Sequence, residues 1–279
     1  MTTKLSKEVY EFLNECIDVV QSSGSKEIGL SISFRKLEYN KITNHRNSYT
    51  KGESVETDII YRSRFRFIWE GVEGLVLLPL ILLSWPLSKR WLANWGTTTS
   101  ERLGPWPGDT LTPSRAETFT RVIDIEASAE TVWSWVVQFG LYRAGFYSYE
   151  LLERLVGIPV RNVEVVLPAF QSLELGTEIK LHPNAPGIPV GSLLEARYIC
   201  FGETGNTTTN TPDPRRSWSI YIEPLNQKSC RLILRSCREE LRVPTLGKRL
   251  GLALEEPIDF LMEQRMLRTI RRLAENLEL

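Results

Sequence analysis

The stretch from Val132 to Tyr149, VWSWVVQFGLYRAGFYSY, decides the fold of this chain. It holds two tryptophans, three tyrosines and two phenylalanines in 18 residues. A strand-like run, Phe119 to Ile125, precedes it, and Ser128 follows that run as a good helix N-cap, because its hydroxyl can accept from the free amides of the first turn. Glu130 then stands where the helix dipole favours an anion. The sequence therefore predicts a strand followed almost directly by an aromatic-rich helix.

A series of strand candidates accompanies this helix, and one shows the alternation clearly. Trp218, Ile220 and Ile222 alternate with Ser217, Ser219 and Tyr221. Period-two alternation is typical of a strand with one buried face, and such strands are typical of an antiparallel sheet covered on one side. The candidates are 119–125, 178–181, 193–201, 217–223 and 231–238.

The chain closes with a long helical pattern from Glu255 to Leu277. Its apolar residues step by four, four, four, three and four positions, which places them on a single stripe. Glu255 and Glu256 before Pro257 are typical of the first turn of a helix, so the pattern predicts a helix start there. A helix with one apolar stripe and a sheet with one apolar face must bury each other. The stripe is Ile258, Met262, Met266, Ile270, Leu273 and Leu277.

These segments resemble the SRPBCC superfamily, over roughly residues 114–279. The resemblance lies in RVIDIEASAETVWSWVVQFG, RAGFYSYELLERL, LPAFQSLELGTEIKL, SWSIYIEPL and EEPIDFLMEQRMLRTIRRLAENL. It implies an α+β START-like helix-grip fold, in which a curved antiparallel sheet wraps around a long C-terminal helix. The family includes polyketide cyclases, lipid-transfer domains and the birch-pollen allergen, so the fold alone does not name an activity.

In the resembled fold, a gap between the sheet and the helix is the ligand cavity. Arg143 is expected to pair with a ligand carboxylate or phosphate, or else with Glu150 or an acid of the C-terminal helix. Tyr147 and Tyr149 are expected to donate to a ligand carbonyl, or else to be core aromatics. Gln171 is interpreted as an amide that pins a loop. The predicted ligand-binding residues are Arg143, Tyr147, Tyr149, Trp218, Met262, Met266 and Ile270.

Three functional hypotheses stay open at this point. The first is a module that binds a hydrophobic small molecule or lipid, and the second is a cyclase or dehydratase acting on an apolar polyketide-like substrate. The third is a scaffold with a filled core. No nucleophile–base or acid–base motif can be written, which favours binding over catalysis and leaves enzymatic activity uncertain. The sequence fixes neither the ligand nor the oligomeric state.

Composition excludes several partners. The 34 basic and 34 acidic residues balance, so the chain lacks the basic excess that nucleic-acid binding needs. The four cysteines form no CxxC pair, which indicates reduced thiols on the cytoplasmic side. With only His45 and His182 and no metal-ligand spacing, we expect no metal and no cofactor.

The part before the domain divides into three segments. Residues 1–60 form a poorly defined extension, with a helix pattern over 6–21, a strand pattern over 28–34 and a polar stretch over 40–58. Residues 61–93 are an apolar segment, for which membrane association is one interpretation. Residues 94–113 have the Gly, Pro, Thr and Ser content of a linker, and the predicted domain is 114–279.

The apolar segment Phe65 to Leu87 admits three interpretations. Tryptophans and basic residues bracket it, as at a membrane interface, but its uninterrupted apolar core from Leu75 to Leu83 is nine residues, and a span needs about 20. A longer window includes Arg66, Glu70 and Glu73, which are costly in a bilayer. A marginal or half-inserted span, a soluble packed helix and a cleaved targeting segment therefore compete. Relatives in the resembled family often carry such a segment, so membrane association is expected, with a soluble cytoplasmic protein as the alternative.

Overall fold

The computed structural model describes residues 64–112, 116–202, 216–239 and 246–277. The patterns noted in residues 1–60 lie outside these ranges. The helices are α1 (Arg64–Leu92), α2 (Thr99–Leu103), α3 (Ala129–Val136), α4 (Glu150–Leu155) and α5 (Leu246–Leu277). The strands are β1 (Ala116–Ile125), β2 (Glu178–Ile179), β3 (Ile188–Leu194), β4 (Tyr198–Phe201), β5 (Arg216–Asn226) and β6 (Ser229–Glu239). Two short 3₁₀ turns cover Pro107–Leu111 and Pro168–Phe170.

The six strands form one antiparallel sheet in the order β1-β6-β5-β4-β3-β2. β5 and β6 are a long hairpin, and β1 pairs along all of β6, from Ala116 opposite Glu239 to Ile125 opposite Cys230. The first strand of the described domain therefore lies beside the last. From β2 at the far edge, the chain runs back through β3, β4 and β5 to β6, beside β1, before it enters α5.

The start of the domain follows the sequence prediction closely. The Ser128 hydroxyl accepts from the Thr131 amide at 3.1 Å and caps α3. One face of α3, with Val132, Trp133 and Val136, is buried against the sheet. The cap and the short connection fix where α3 begins, because both act within a few residues, whereas its buried face packs on β5 and α5.

Two predicted boundaries are wrong. The single strand predicted over 193–201 is a hairpin of β3 and β4, which turns where Ala196 takes a positive φ of 54° and Arg197 donates its amide to Leu194. The helix predicted to start at Glu255 starts at Leu246 instead, so Pro257 lies inside it. Pro257 is buried there, and Arg216 and Arg238 of the sheet pair with Glu255. These tertiary contacts offset the backbone hydrogen bond that a proline inside a helix cannot donate.

α5 packs its inner face on the sheet, and this pair of elements holds the main core. Met266, Leu267, Ile270 and Ala274 join α3 and the inward side chains of the strands in one buried cluster. The predicted fold class is therefore confirmed: the chain is α+β, with a sheet gripping a long C-terminal helix and an apolar helix, α1, before it.

The segments before residue 113 pack on both sides of this unit. α1 lies on the outer side of α5, where Leu77, Ile81 and Leu92 form a second buried cluster with Phe260 and Leu261. The residues interpreted as a linker instead carry α2 and the first 3₁₀ turn. These cover the outer face of the sheet, where the Trp106 and Tyr221 rings lie 4.5 Å apart and Arg235 pairs with Asp109.

Candidate functional site

A cavity of about 380 Å³ lies between the sheet and α5. Apolar side chains from four parts of the chain form most of its wall: the β strands, α5, the loop after α3, and the loop after α4. Its principal lining residues are Phe119, Phe139, Phe146, Ile158, Leu181, Ile188, Phe201, Trp218, Met262 and Met266. A largely apolar cavity of this size with a few polar groups is typical of a small-molecule site.

An aromatic cluster builds one wall of the cavity. The Trp218 ring on β5 stacks on Phe201 of β4, with 5.4 Å between centroids, because these residues are paired across the two strands. Phe139, just after α3, lies 5.0 Å from Trp218 and 5.3 Å from Phe146. Offset and tilted contacts at these distances give a rigid apolar surface suited to a flat or chain-like ligand.

A row of three carboxylates on α5 forms the opposite, polar side. Glu255, Asp259 and Glu263 are four residues apart, so they share one face of the helix. Glu255 accepts from Arg216 and from Arg238, the latter at 3.2 Å. These ion pairs join the first turns of α5 that line the cavity to strands β5 and β6.

Glu263 is the best-connected carboxylate of the row. It accepts from the Trp218 indole at 2.9 Å and from the Ser236 hydroxyl at 3.2 Å, and it pairs with Arg121. Arg121 is buried on β1 and also donates to the Leu92 carbonyl at the end of α1, at 3.1 Å. The Glu263 carboxylate therefore fixes the orientation of the Trp218 indole, which lines the cavity.

Two other acids in the cavity have raised pKa values. Desolvation, together with the neighbouring Glu263 carboxylate, raises the pKa of Asp259 to about 7, although part of the residue is exposed to solvent. Burial also raises the pKa of Glu153 on α4, whose carboxylate accepts from the Ser148 hydroxyl at 2.9 Å. Asp259 can therefore exchange a proton near neutral pH, which is the property a general acid or base needs.

Comparison with known proteins finds distant structural similarities and leaves the activity open. No protein-family model matches this chain, and no curated protein matches it. Similar solved structures include the Zhui aromatase/cyclase from a Streptomyces species, at 12% identity and a TM-score of 0.34, covering 59% of this chain and 96% of that one. A START superfamily protein from Mycobacterium smegmatis is 18% identical with a TM-score of 0.28, covering 56% of this chain and 98% of that one. A conserved protein of unknown function from Enterococcus faecalis is 12% identical with a TM-score of 0.26, covering 60% and 88%.

The chain has the START-like helix-grip fold. The predicted resemblance to the SRPBCC superfamily is confirmed at that level, and the strand order and the long α5 carry it. TM-scores this low say nothing about a ligand or a reaction.

Three of the seven predicted ligand-binding residues line the cavity. These are Trp218 on β5 and Met262 and Met266 on α5. Ile270 lies one turn beyond Met266 and is fully buried in the core. It is therefore a core residue and not part of the cavity lining.

The other three predicted residues lie outside the lining, where each has a protein partner. The Tyr147 hydroxyl donates to the Trp135 carbonyl at 3.1 Å and accepts from Gln138 at 2.8 Å. Arg143 stacks on Phe170 at 4.5 Å and donates to the Val137 carbonyl.

The Tyr149 hydroxyl donates to Glu73 of α1 at 2.5 Å. Glu150, considered from the sequence as a partner of Arg143, pairs with Arg154. Ligand contact by any of the seven predicted residues stays a prediction.

Sequence reasoning missed Glu153, Asp259 and Glu263 as cavity residues. The four-residue spacing from Glu255 through Asp259 to Glu263 was the available signal, since it marks a second, acidic stripe on α5 beside the apolar one. Gln171 does pin its loop, as predicted, by donating to the Ser134 carbonyl and to Gln138. Within the described residues, no group of three or more His, Cys, Asp or Glu is placed to hold a metal.

Proposed function

We propose that the domain binds a hydrophobic small molecule or lipid in the cavity between the sheet and α5. The observation that supports this most directly is the cavity of about 380 Å³ with its aromatic wall. A filled core would close such a space, because empty apolar volume costs stability. Met262 and Met266 border it, and their unbranched side chains can adapt to ligands of different shape.

The distribution of polar groups supports one orientation for the ligand. The apolar body would lie on Trp218 and Phe201, while a hydrogen-bonding group would face Asp259 between the two ion-paired glutamates. A few placed polar groups in an otherwise apolar pocket are the usual source of orientation.

The test is binding of an uncharged apolar fluorophore, N-phenyl-1-naphthylamine, together with native mass spectrometry of whatever co-purifies. We expect saturable binding by the full chain and strong loss in Met262→Trp, since the indole would occupy the cavity. Leu225→Trp, an exposed position on β5, is the matched control and should bind normally. Equal binding by both variants would place the probe elsewhere and contradict the proposal.

A cyclase or dehydratase is the second candidate, and one observation favours it. Asp259 and Glu153 line the same cavity, and both have raised pKa values. The pair could move a proton to and from a polyketide-like substrate. Incubation with a linear poly-β-ketone thioester should then give products that have lost water. Asp259→Asn should abolish that loss while probe binding persists, and an unchanged rate in this variant would remove the candidate.

We also propose that the domain works at a membrane, through α1. Among the described residues, the helix over Arg66–Leu92 is the one that is long and apolar enough to cross a bilayer, although a third of its most apolar window is buried against the protein. Full-length protein that stays in the soluble fraction at low salt would contradict this association.

A further inference from the structure

The surface of α1 that faces away from the protein is apolar along nearly the whole helix. Its exposed large apolar residues are Ile68, Val72, Leu75, Val76, Leu83 and Leu87, and Leu83 is 80% exposed. Their spacing keeps them within one side of the helix, over a length of about 28 Å. We refer to these six residues as the α1 outer stripe.

Three charged residues on the opposite side of α1 are buried against the domain. Glu70 and Glu73 pair with Arg265 of α5, and Arg66 pairs with Glu164. These three charged residues of α1 are at most 5% exposed. They are the groups that make a membrane span costly, and the structure gives each of them a partner within the domain.

Close packing also fixes the helix against the domain. A Cβ added at Gly71 would lie 2.5 Å from the Leu151 side chain, and one at Gly74 would lie 3.0 to 3.2 Å from Leu152 and Tyr149. At these two glycines the α1 backbone therefore lies directly against the start of α4, with no room for a larger side chain.

Given the proposed membrane association, we infer that α1 lies in the plane of an anionic bilayer surface, with its outer stripe in the lipid, and does not cross the bilayer. A crossing would separate Glu70 and Glu73 from Arg265 and move both carboxylates into hydrocarbon. Docking through the outer stripe leaves every one of these ion pairs in place.

The charge of the exposed surface fits an anionic lipid partner. The two acidic residues of α1 are both buried, whereas Lys89 and Arg90 at its C-terminal end are exposed. Lys89 lies 6.0 Å from the Trp85 ring, and both Trp85 and Trp91 pack against the domain at this end of the helix. An apolar stripe that ends in exposed basic residues, with no outward carboxylate on α1, is typical of a helix lying at a membrane interface.

The experiment compares binding of the full chain to phosphatidylcholine vesicles with and without phosphatidylserine. We expect binding that requires phosphatidylserine, weakens with salt, and is released by alkaline carbonate. Leu75→Gln with Leu83→Gln, both on the outer stripe, should weaken partitioning by about tenfold or more, because each leucine loses its lipid contact. Leu194→Gln with Leu225→Gln, exposed on the sheet, is the matched control and should bind normally.

The outcomes separate the two proposals. If the unmodified chain does not bind vesicles, the proposed membrane association itself is wrong. Vesicle binding that resists carbonate, or that persists in the outer-stripe variant, would agree with membrane association but contradict a helix lying in the plane of the surface. Self-association in the absence of lipid that is lost only in the outer-stripe variant would assign the stripe to a second copy and also overturn it. Melting curves of all variants should coincide, since the substituted residues are exposed.

Discussion

Met266 and Ile270 occupy successive turns of α5 but have different surroundings. Both are buried, yet Met266 borders the cavity and Ile270 is packed on all sides by the core. The same substitution at the two sites therefore separates ligand contact from core packing.

We expect Ile270→Ala to lower the free energy of unfolding by about 2 to 5 kcal/mol, because it creates a new hole in a close-packed core. Met266→Ala should cost less than about 2 kcal/mol, since part of its surface already faces empty space. Denaturant unfolding measures both, and N-phenyl-1-naphthylamine binding should change only in Met266→Ala. A large stability loss at Met266 with unchanged probe binding would show that α5 grips a filled core.

Glu256 is a second residue whose surroundings set its behaviour. Burial raises the pKa of Glu256 from 4.5 to about 7, and Lys89, 3.8 Å away, offsets only part of that cost. The folded state then holds the proton more tightly than the unfolded state does. The contribution of this residue to stability is present below pH 4.5 and is lost as the pH rises towards 7.

Glu256→Gln should remove this pH dependence. At pH 8 we expect the variant to be more stable than the unmodified chain by about 1 to 2 kcal/mol, less than the full shift because Lys89 loses its partner. At pH 4.5 the two proteins should differ little. Urea unfolding across this range is the measurement, and a variant less stable at pH 8 would show that the glutamate is ionised and well paired.

At the scale of elements, α1 is attached to the domain by a buried charge cluster. Arg265 pairs with Glu70 and Glu73 and lies 5.4 Å from the Tyr149 ring, and Tyr149 in turn donates to Glu73. The two carboxylates raise the pKa of Arg265 above its usual value, so it stays charged. Removing the arginine would leave two carboxylates without compensation in a buried site.

Arg265→Gln should destabilise the protein by about 3 kcal/mol or more and loosen α1. Limited proteolysis should then cut within 64–92 sooner than in the unmodified chain. Arg271→Gln removes an exposed i,i+4 pair with Glu275 and should cost less than about 0.5 kcal/mol. Equal proteolysis of the two variants would mean that apolar packing alone holds the helix.

At the scale of the whole molecule, the sheet is covered on both faces. α5 and α1 lie on its inner side, while residues 99–112 lie on the outer side, where Arg231 pairs with Glu101 and the Tyr221 hydroxyl accepts from the Gly108 amide at 2.9 Å. The domain boundary at residue 114 stays a prediction. These contacts favour a folding unit that begins at α1.

Comparison of residues 64–279 with residues 112–279 tests where the unit begins. The shorter fragment loses Glu101, Asp109 and the glutamates of α1, which pair with Arg231, Arg235 and Arg265, together with the cover of Phe260. We therefore expect it to melt about 10 °C lower or to aggregate. Calorimetry of both fragments gives the answer. A shorter fragment that is soluble and melts at the same temperature would place the boundary at the predicted position.

Local sequence patterns predicted most of the elements and their order, but not the β3–β4 hairpin or α2. The Ser128 cap, the alternation around Trp218 and the four-residue steps of α5 are local patterns, so they predicted the strand, helix and sheet that the structure contains. They also placed Met262, Met266 and Trp218 on the faces that border the cavity. Local periodicity carries this information because it decides which side of an element is apolar.

Only the tertiary structure decided where the charges of the chain find partners. Glu73 and Arg265 are 192 residues apart, and Trp218 and Glu263 are 45 apart, so neither pairing can be read from spacing. The same holds for Asp259 and Glu153, which reach one cavity from different helices. A buried charge is tolerable only beside its partner, and the partner's position is set by how the helices pack on the sheet. Because of this packing, α1, the candidate membrane span, has one side bound to the domain and the other side exposed.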